Sequence, residues 1–117
     1  MDDVDIDTWK TEIKRGIVEM CILALLSKKE MYGYEISKTI KQLSSGFLTI
    51  EEGTLYPLLR RLEGKGYIRG EWKIVHDKAR KYYKITSLGL QVFAEMRSFW
   101  KKLSSIVNNI VEVKEGE

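Results

Sequence analysis

The chain has 117 residues, of which 44% are hydrophobic and 32% are charged, and these values are typical of one soluble domain with a modest core. The sequence has no apolar run near the roughly 20 residues that a bilayer-spanning helix needs, and its acidic beginning differs from a signal peptide. A single cysteine excludes an internal disulfide framework, and these features together predict a cytoplasmic protein with no membrane partner.

Charge is unevenly distributed along the chain, although the net value is only +3. Residues 55–102 carry 12 basic and 4 acidic side chains, whereas residues 1–54 carry 7 basic and 10 acidic ones. A basic middle segment is the footprint expected for an anionic partner, and nucleic acid is the commonest large one. Charge alone leaves a solvated charged surface as the alternative.

The first two predicted elements are helices over residues 8–27 and Tyr32–Leu43. Apolar residues in the first helix recur every three or four positions, the spacing that places side chains on one face. In the second helix, Ile36, Ile40 and Leu43 are expected to face inward, whereas the lysines face outward. The repeating set in the first helix consists of Ile13, Ile17, Met20, Cys21 and Ala24.

The third predicted helix, Glu52–Gly64 within the stretch TIEEGTLYPLLRRLEGKG, has two contrasting faces. Its leucines share one face and are expected to be buried. A proline is tolerated near a helix start on the exposed side, although it removes one backbone N–H. The other face is small, cationic and phenolic, which suits close approach to a large anion. It comprises Gly53, Thr54, Pro57, Arg60 and Gly64, flanked by Tyr56 and Arg61.

Two β-strands are predicted next, because the apolar pattern changes from a helical period to strict alternation. They cover residues 67–74 and 80–86, and a polar turn over residues 75–79 joins them into a hairpin. A hairpin is marginally stable by itself, so it must pack on the helices, and Trp72 is expected to lie in its core. In the second strand one face carries Tyr83 and Ile85, and the other carries Arg80, Tyr82 and Lys84.

The last predicted helix runs from Ser87 to about Val113 and has an apolar stripe along its whole length. Its length of about 40 Å exceeds what the preceding domain can cover. An exposed stripe of that length favours aggregation unless a second copy buries it, so we expect a homodimer that also involves the first helix. The stripe consists of Val92, Met96, Phe99, Leu103, Ile106, Ile110 and Val113, widened by Phe93, Trp100 and Val107.

The order of these elements, three helices followed by a hairpin, is that of a winged helix-turn-helix. The predicted fold class is mainly α with a β-hairpin, with a DNA-binding domain over residues 8–86 and a dimerisation helix over residues 87–113. The third helix is expected to enter the major groove, where the fork of arginine fits phosphates or guanine edges. Contacts to the DNA backbone are expected from Tyr32 and Tyr34 at the start of the second helix, and from Lys78, Arg80 and Lys81 near the hairpin tip.

Two stretches of the sequence, GTLYPLLRRLEGKGYI and RKYYKITSLG, together with MYGYEI before the third helix, resemble the PadR family of transcriptional regulators. The resemblance covers about residues 15–113 and implies a dimeric winged-helix DNA-binding protein, usually a repressor that a small molecule releases. The wing tip, DKARK, departs from the glycine–arginine sequence of many members. The DNA-facing positions that the resemblance implies are Tyr34, Thr54, Tyr56, Pro57, Arg60, Arg61, Arg80 and Lys81.

The resemblance also suggests an effector site, because some short members of the family bind flat aromatic ligands at the dimer interface. Trp100, with Met96 and Phe99 beside it, fits such a site for a planar aromatic effector. An indole offers a large apolar face for stacking. The alternative is that Trp100 only packs in the interface.

Catalysis is not indicated by the sequence. One histidine and one cysteine provide neither a nucleophile–base pair nor a metal site, so we expect no enzyme activity, no metal and no cofactor. The alternative function is a winged-helix module that binds protein without DNA. The basic excess in residues 55–102 favours a sequence-specific regulator that binds double-stranded DNA at a near-palindromic operator as a homodimer.

Overall fold

The computed structural model describes residues 3–115, which form four helices and a small antiparallel sheet. The predicted fold class, mainly helical with a hairpin, is confirmed. The first helix begins earlier and the last helix ends earlier than the sequence predicted. The elements are α1 (Asp3–Leu26), β1 (Met31–Tyr32), α2 (Gly33–Leu43), α3 (Glu52–Gly64), β2 (Ile68–Val75), β3 (Lys78–Ile85) and α4 (Ser87–Val111).

One hydrophobic core joins the first three helices to the base of the hairpin. All four leucines of α3 are 7% exposed or less, as the helical spacing predicted. Burial of leucine side chains at this level stabilises a fold by about 2 kcal/mol each, so α3 is anchored by its inner face. The side chains buried most completely are Ile22, Leu23, Ile36, Leu55, Leu59, Leu62 and Ile68.

The inward faces of α1 and α2 differ in part from the prediction. The repeating set that begins at Ile13 is exposed or only partly buried, because the core face of α1 is centred instead on Val18 and Ile22. In α2 the last buried residue is Ile40, and Leu43 is 76% exposed, because the final turn of the helix projects beyond the core. Spacing alone therefore identified an apolar face of α1 but not the one that meets the core.

The sheet has the strand order β1-β3-β2, and the two-residue strand β1 was not predicted. Met31 pairs with Tyr83, which brings the start of α2 against the hairpin. The turn of the hairpin is shorter than predicted, because only His76 and Asp77 connect the strands, with φ of 52° and 62°. Two positive φ angles are typical of the turn whose twist matches that of a right-handed hairpin. The hairpin is consequently a tight ribbon, which we call the wing.

Trp72 does not lie in the hairpin core, and that prediction was wrong. The alternation correctly placed Ile68, Gly70, Trp72 and Ile74 on one face, but the wing extends past the helices. Only Ile68 at its base is fully covered, whereas Trp72 is 72% exposed. We call this face, with Tyr83 and Lys81 and Ala79 opposite on β3, the inner face of the wing.

A compact junction fixes α4 to the rest of the domain. The Thr86 hydroxyl caps α4 by accepting from the Gly89 N–H at 3.0 Å and donates to the Gly66 carbonyl at 2.6 Å. A Cβ at Gly89 would lie only 2.0 Å from the carbonyl oxygen of Tyr67, so this position requires glycine. The T-S-L-G sequence is thereby explained as a contact between α4 and the loop after α3.

Beyond Met96 the helix α4 leaves the domain. Val92, Phe93 and Met96 pack partly against the core, but Phe99 and Ile110 are each 66% exposed. The molecule is correspondingly elongated, with extents of 64 × 32 × 25 Å. The outer part of the predicted apolar stripe is thus uncovered within one chain.

Candidate nucleic-acid interface

The outer face of α3 is low and open. Gly53, Thr54, Pro57 and Arg60 are all exposed, opposite the buried leucines. Pro57 lies early in the helix and removes the hydrogen bond to the carbonyl of Gly53, around whose Cα there is free space. A helix with so little side-chain bulk at its start can approach another surface closely.

The two adjacent arginines of α3 have different surroundings. The Arg61 guanidinium lies 3.3 Å from a carboxylate oxygen of Glu19, which is 7% exposed on α1. Arg60 is exposed and lies within electrostatic reach of the Tyr83 phenol on the inner face of the wing. Burial raises the pKa of the Tyr83 phenol, and the nearby Lys81 and Arg60 charges act in the opposite direction. Arg61 is therefore tied to the fold at one end, whereas Arg60 faces outward.

Two tyrosines line a shallow cleft between the starts of α2 and α3. Tyr56 packs so closely on α2 that a Cβ at Gly33 would lie 2.9 Å from the Tyr56 hydroxyl oxygen. This contact explains the glycine of the MYGYEI motif. Tyr34 is exposed and lines the same cleft of about 550 Å³, together with Glu51 and other residues. Tyr34 is therefore open to solvent beside the outer face of α3, whereas the Tyr56 ring is packed on α2 along one edge and is 38% exposed.

The predicted wing cations lie on opposite faces of the sheet. The Lys81 ammonium is on the inner face, 3.1 Å from a carboxylate oxygen of Glu63 in α3. The Arg80 guanidinium is on the other face, 4.4 Å from the centre of the Tyr32 ring. Lys78, next to the turn, is exposed. The structure therefore does not bring Arg80 and Lys81 to one point, since Lys81 bonds Glu63 of α3 and Arg80 packs on Tyr32 of β1.

Carboxylates outside the predicted DNA-binding set connect these elements. Glu63 also accepts a hydrogen bond from the Gly70 N–H at 3.1 Å, and Glu30 pairs with Lys73 and Lys84. The hydrogen bond from Lys73 holds the pKa of the Glu30 carboxyl below its usual value. The partners of Glu30 are more than forty residues away in sequence, so no local pattern could have revealed them.

The family follows from a comparison of the whole sequence with protein-family models. The model of the transcriptional regulator PadR-like family matches residues 22–95, which extend from α1 through the wing into α4. The chain belongs to the PadR family. It is therefore a transcriptional regulator and not an enzyme.

Solved structures of PadR-like regulators have the same fold. A transcriptional regulator from Clostridium thermocellum is 36% identical with a TM-score of 0.80, covering 86% of this chain and 99% of that one. A PadR-like transcriptional regulator (BC4206) from Bacillus cereus is 36% identical with a TM-score of 0.77, covering 88% and 99%. The negative transcriptional regulator PadR of Bacillus subtilis is 32% identical over 76 residues, which are 64% of this chain and 42% of that protein.

The three residues expected to hold an effector lie on α4 of this PadR-family chain. Met96 is half-buried against the domain, whereas Phe99 and Trp100 are exposed. A closed cavity around Trp100 would need a second copy of α4. The residues are thus brought to one side of a helix but are not enclosed within one chain.

None of the helices within residues 3–115 combines the length and the apolar run that crossing a bilayer requires. In the same part of the chain, no three His, Cys, Asp or Glu side chains come together in a way that would hold a metal ion.

Proposed function

We propose that this PadR-family regulator is a repressor that binds double-stranded DNA at a near-palindromic operator as a homodimer and is released by a planar aromatic ligand. The observation that carries the proposal is the outer face of α3, which is low, open and cationic on a helix anchored by buried leucines. Repression is supported by the Bacillus subtilis relative, which is named a negative regulator.

In this proposal α3 lies in the major groove. Arg60 is exposed and free to reach a guanine edge, for which its planar fork is suited. Arg61 presents to a phosphate the part of its guanidinium that Glu19 does not use. Thr54 and Pro57 keep the helix surface low, so that the backbone of α3 approaches the bases.

The residues around α3 contact the DNA backbone. Tyr34 and Tyr56 are proposed to donate hydrogen bonds from their hydroxyl groups to phosphate oxygens beside the groove. Lys78 is proposed to reach the flanking backbone from the tip of the wing. Arg80 and Lys81 are proposed to contribute positive charge there while Arg80 remains packed on Tyr32 of β1 and Lys81 remains bonded to α3.

The proposal also assigns a separate role to each of two parts of the chain. Residues 8–86 form the DNA-binding domain, and residues 87–113 form the dimerisation helix, whose outer apolar side chains are exposed in one chain. A symmetric dimer presents two copies of α3, so the operator is expected to have two related half-sites.

The proposed ligand occupies a cavity at the centre of the dimer. Trp100 and its symmetry mate would stack on a flat aromatic ring, with Phe99 and the flexible Met96 adapting to its outline. Such a ligand releases DNA only if it binds more tightly to a dimer in which the distance between the two α3 helices does not fit the operator than to the DNA-bound dimer.

The proposal is tested by selecting duplexes from a randomised pool and then titrating salt against affinity for the selected duplex. If the dimer neutralises six to ten phosphates, log K should fall against log salt with a slope of about −5 to −9. The matched variants are Arg60→Ala on α3 and Arg97→Ala, an exposed arginine on α4. We expect only Arg60→Ala to weaken binding and to relax the preference at one base pair. Failure to select any duplex, or a slope near zero for the selected duplex, would favour a module that binds protein instead.

A further inference from the structure

The inner face of the wing carries an apolar patch that the fold does not use. Trp72 is 72% exposed and Ile74 is 78% exposed, although both belong to the face that is buried at its base. Ala79, opposite Ile74, is exposed as well. An indole and an isoleucine side by side on a hairpin tip form a surface that a partner would be expected to cover.

The patch lies on the side of the wing that faces α3. Trp72 is opposite Lys81, and the preceding pair on the same face is Gly70 with Tyr83. These neighbours meet α3, since Glu63 bonds both the Gly70 N–H and the Lys81 ammonium. Two residues along a strand cover about 7 Å, so the indole projects beyond Gly70, whose N–H bonds Glu63 of α3.

The charges around the patch favour an anionic partner. Between Ile68 and Ile85 the wing has six basic and two acidic side chains, and an excess of positive charge remains after Glu30 and Glu63 pair with Lys73, Lys84 and Lys81. Two wings of the same sequence would repel each other, and charged side chains on the edge strand β2 discourage pairing with another strand. A duplex is attracted by the same charges, and the inner face of the wing that carries the patch also carries Tyr83, which lies within electrostatic reach of Arg60 on α3.

We propose that Trp72, supported by Ile74, packs against deoxyribose and base edges in the minor groove that flanks the segment bound by α3. This inference rests on the proposed function. Apolar side chains inserted at a base step unstack it partially, and pyrimidine–purine steps yield most easily. Trp72 would therefore add a sequence preference outside the base pairs read by Arg60. The two-residue turn keeps the wing short and stiff enough to hold the indole in place.

The first test follows each tryptophan separately by fluorine NMR of the full chain labelled with 5-fluorotryptophan. The Trp72 signal is identified as the one missing in Trp72→Phe, and the Trp9 signal is the internal control. We expect the selected duplex to shift the Trp72 signal and to reduce its solvent isotope effect, while the Trp9 signal keeps its position. A Trp72 signal that remains solvent-exposed in the DNA complex would overturn the inference.

The second test separates an apolar contact from a phosphate contact. Trp72→Ala should weaken binding about a hundredfold, because a dimer loses two aromatic stacking contacts of about tenfold each, and Trp72→Phe should retain most of the affinity. The salt slope should remain unchanged in both variants. Lys78→Ala is the control, because it should reduce the slope by about 2 in a dimer.

The remaining outcomes are each decisive. A reduced slope in Trp72→Ala would mean that the wing is displaced, and the role of Trp72 would then be structural. A Trp72 signal that shifts with protein concentration in the absence of DNA would make the patch a contact between copies. If DNA binds and depends on Arg60 but not on Trp72, only this inference fails. If no duplex is bound, the proposed function fails with it.

Discussion

The inner face of α3 and the outer half of α4 carry similar apolar stripes, yet they end in opposite environments. The leucines of α3 are 7% exposed or less, whereas Phe99 and Ile110 on α4 are each 66% exposed. The helical spacing that identifies both stripes says that a face is apolar. It does not say whether the same chain covers that face, which depends on how far the neighbouring elements extend.

Removing the stripe of α4 should have the largest effect. Truncation after Leu90 deletes Val92, Phe93 and Met96, which pack on the core, and is expected to give an insoluble chain or a monomer without tight operator binding. Truncation after Arg97 keeps those three contacts and should give a folded monomer. Light scattering measures the mass, and titration with the selected duplex measures the affinity. Loss of the second half-site should weaken binding by a factor of about 100 or more. A soluble monomer that still binds tightly would contradict the conclusion that a second chain must cover the α4 stripe.

Shortening one leucine of α3 should have the next largest effect, and it should change the free energy of unfolding instead of dimer formation. Leu59→Ala leaves a cavity in a fully buried site and is expected to lower the free energy of unfolding by about 2–5 kcal/mol. Ile110→Ala should instead raise the dissociation constant of the dimer. Urea unfolding at several protein concentrations distinguishes the two. Leu43→Ala is the exposed control, with an expected change below about 0.5 kcal/mol. Equal effects of Leu59→Ala and Leu43→Ala would show that the α3 stripe is not the core.

The two arginines of α3 differ in their contacts, and substituting them should have smaller effects than the changes above. Arg61→Met leaves the buried carboxylate of Glu19 unpaired and should lower the free energy of unfolding by about 1–2 kcal/mol, because half of the arginine is already solvated. The double variant Arg61→Met with Glu19→Met should recover much of this loss. Arg60→Ala should leave unfolding unchanged and affect only DNA binding. An Arg61→Met variant with the free energy of unfolding of the wild type would mean that the Glu19 carboxylate becomes hydrated once the arginine is removed.

The ion pair of Glu30 with Lys73 should give the smallest effect, and one that depends on pH. The pKa of Glu30 is lowered in the fold, so its contribution is present above the pKa of the unfolded chain and is lost as pH falls through the folded pKa. Thermal unfolding of the wild type and of Glu30→Gln should therefore differ at neutral pH and converge in acid. A difference that persists below the folded pKa would assign the effect to packing.

Much of the fold was predictable because it is periodic. The α3 leucines, the α4 stripe and the alternation of the wing all follow from spacing in the sequence. The strand β1 was missed because two residues have no period, and the exposure of Trp72 was missed because alternation does not show where a core ends.

The candidate site was less predictable than the fold. Its cationic and phenolic composition was visible in the sequence, but the partners of those side chains were not. Lys81 on β3 forms an ion pair with Glu63 on α3, and Arg61 on α3 forms an ion pair with Glu19 on α1. Such pairs are decided by tertiary packing, which no window of neighbouring residues contains.

The junction at Gly89 gives α4 the mechanics of a lever. Because Gly89 has no Cβ, the helix contacts the carbonyl of Tyr67 directly. The angle between α4 and the domain is therefore set at Gly89, within the first turn of the helix. The helix α4 extends about 33 Å from Gly89 to Val111, so a tilt of 5° at Gly89 displaces the far end by about 3 Å. In the proposed dimer, a Cβ at position 89 could be accommodated only by moving α4 off the Tyr67 carbonyl, which would tilt α4, weaken its junction with the domain and change the distance between the two α3 helices.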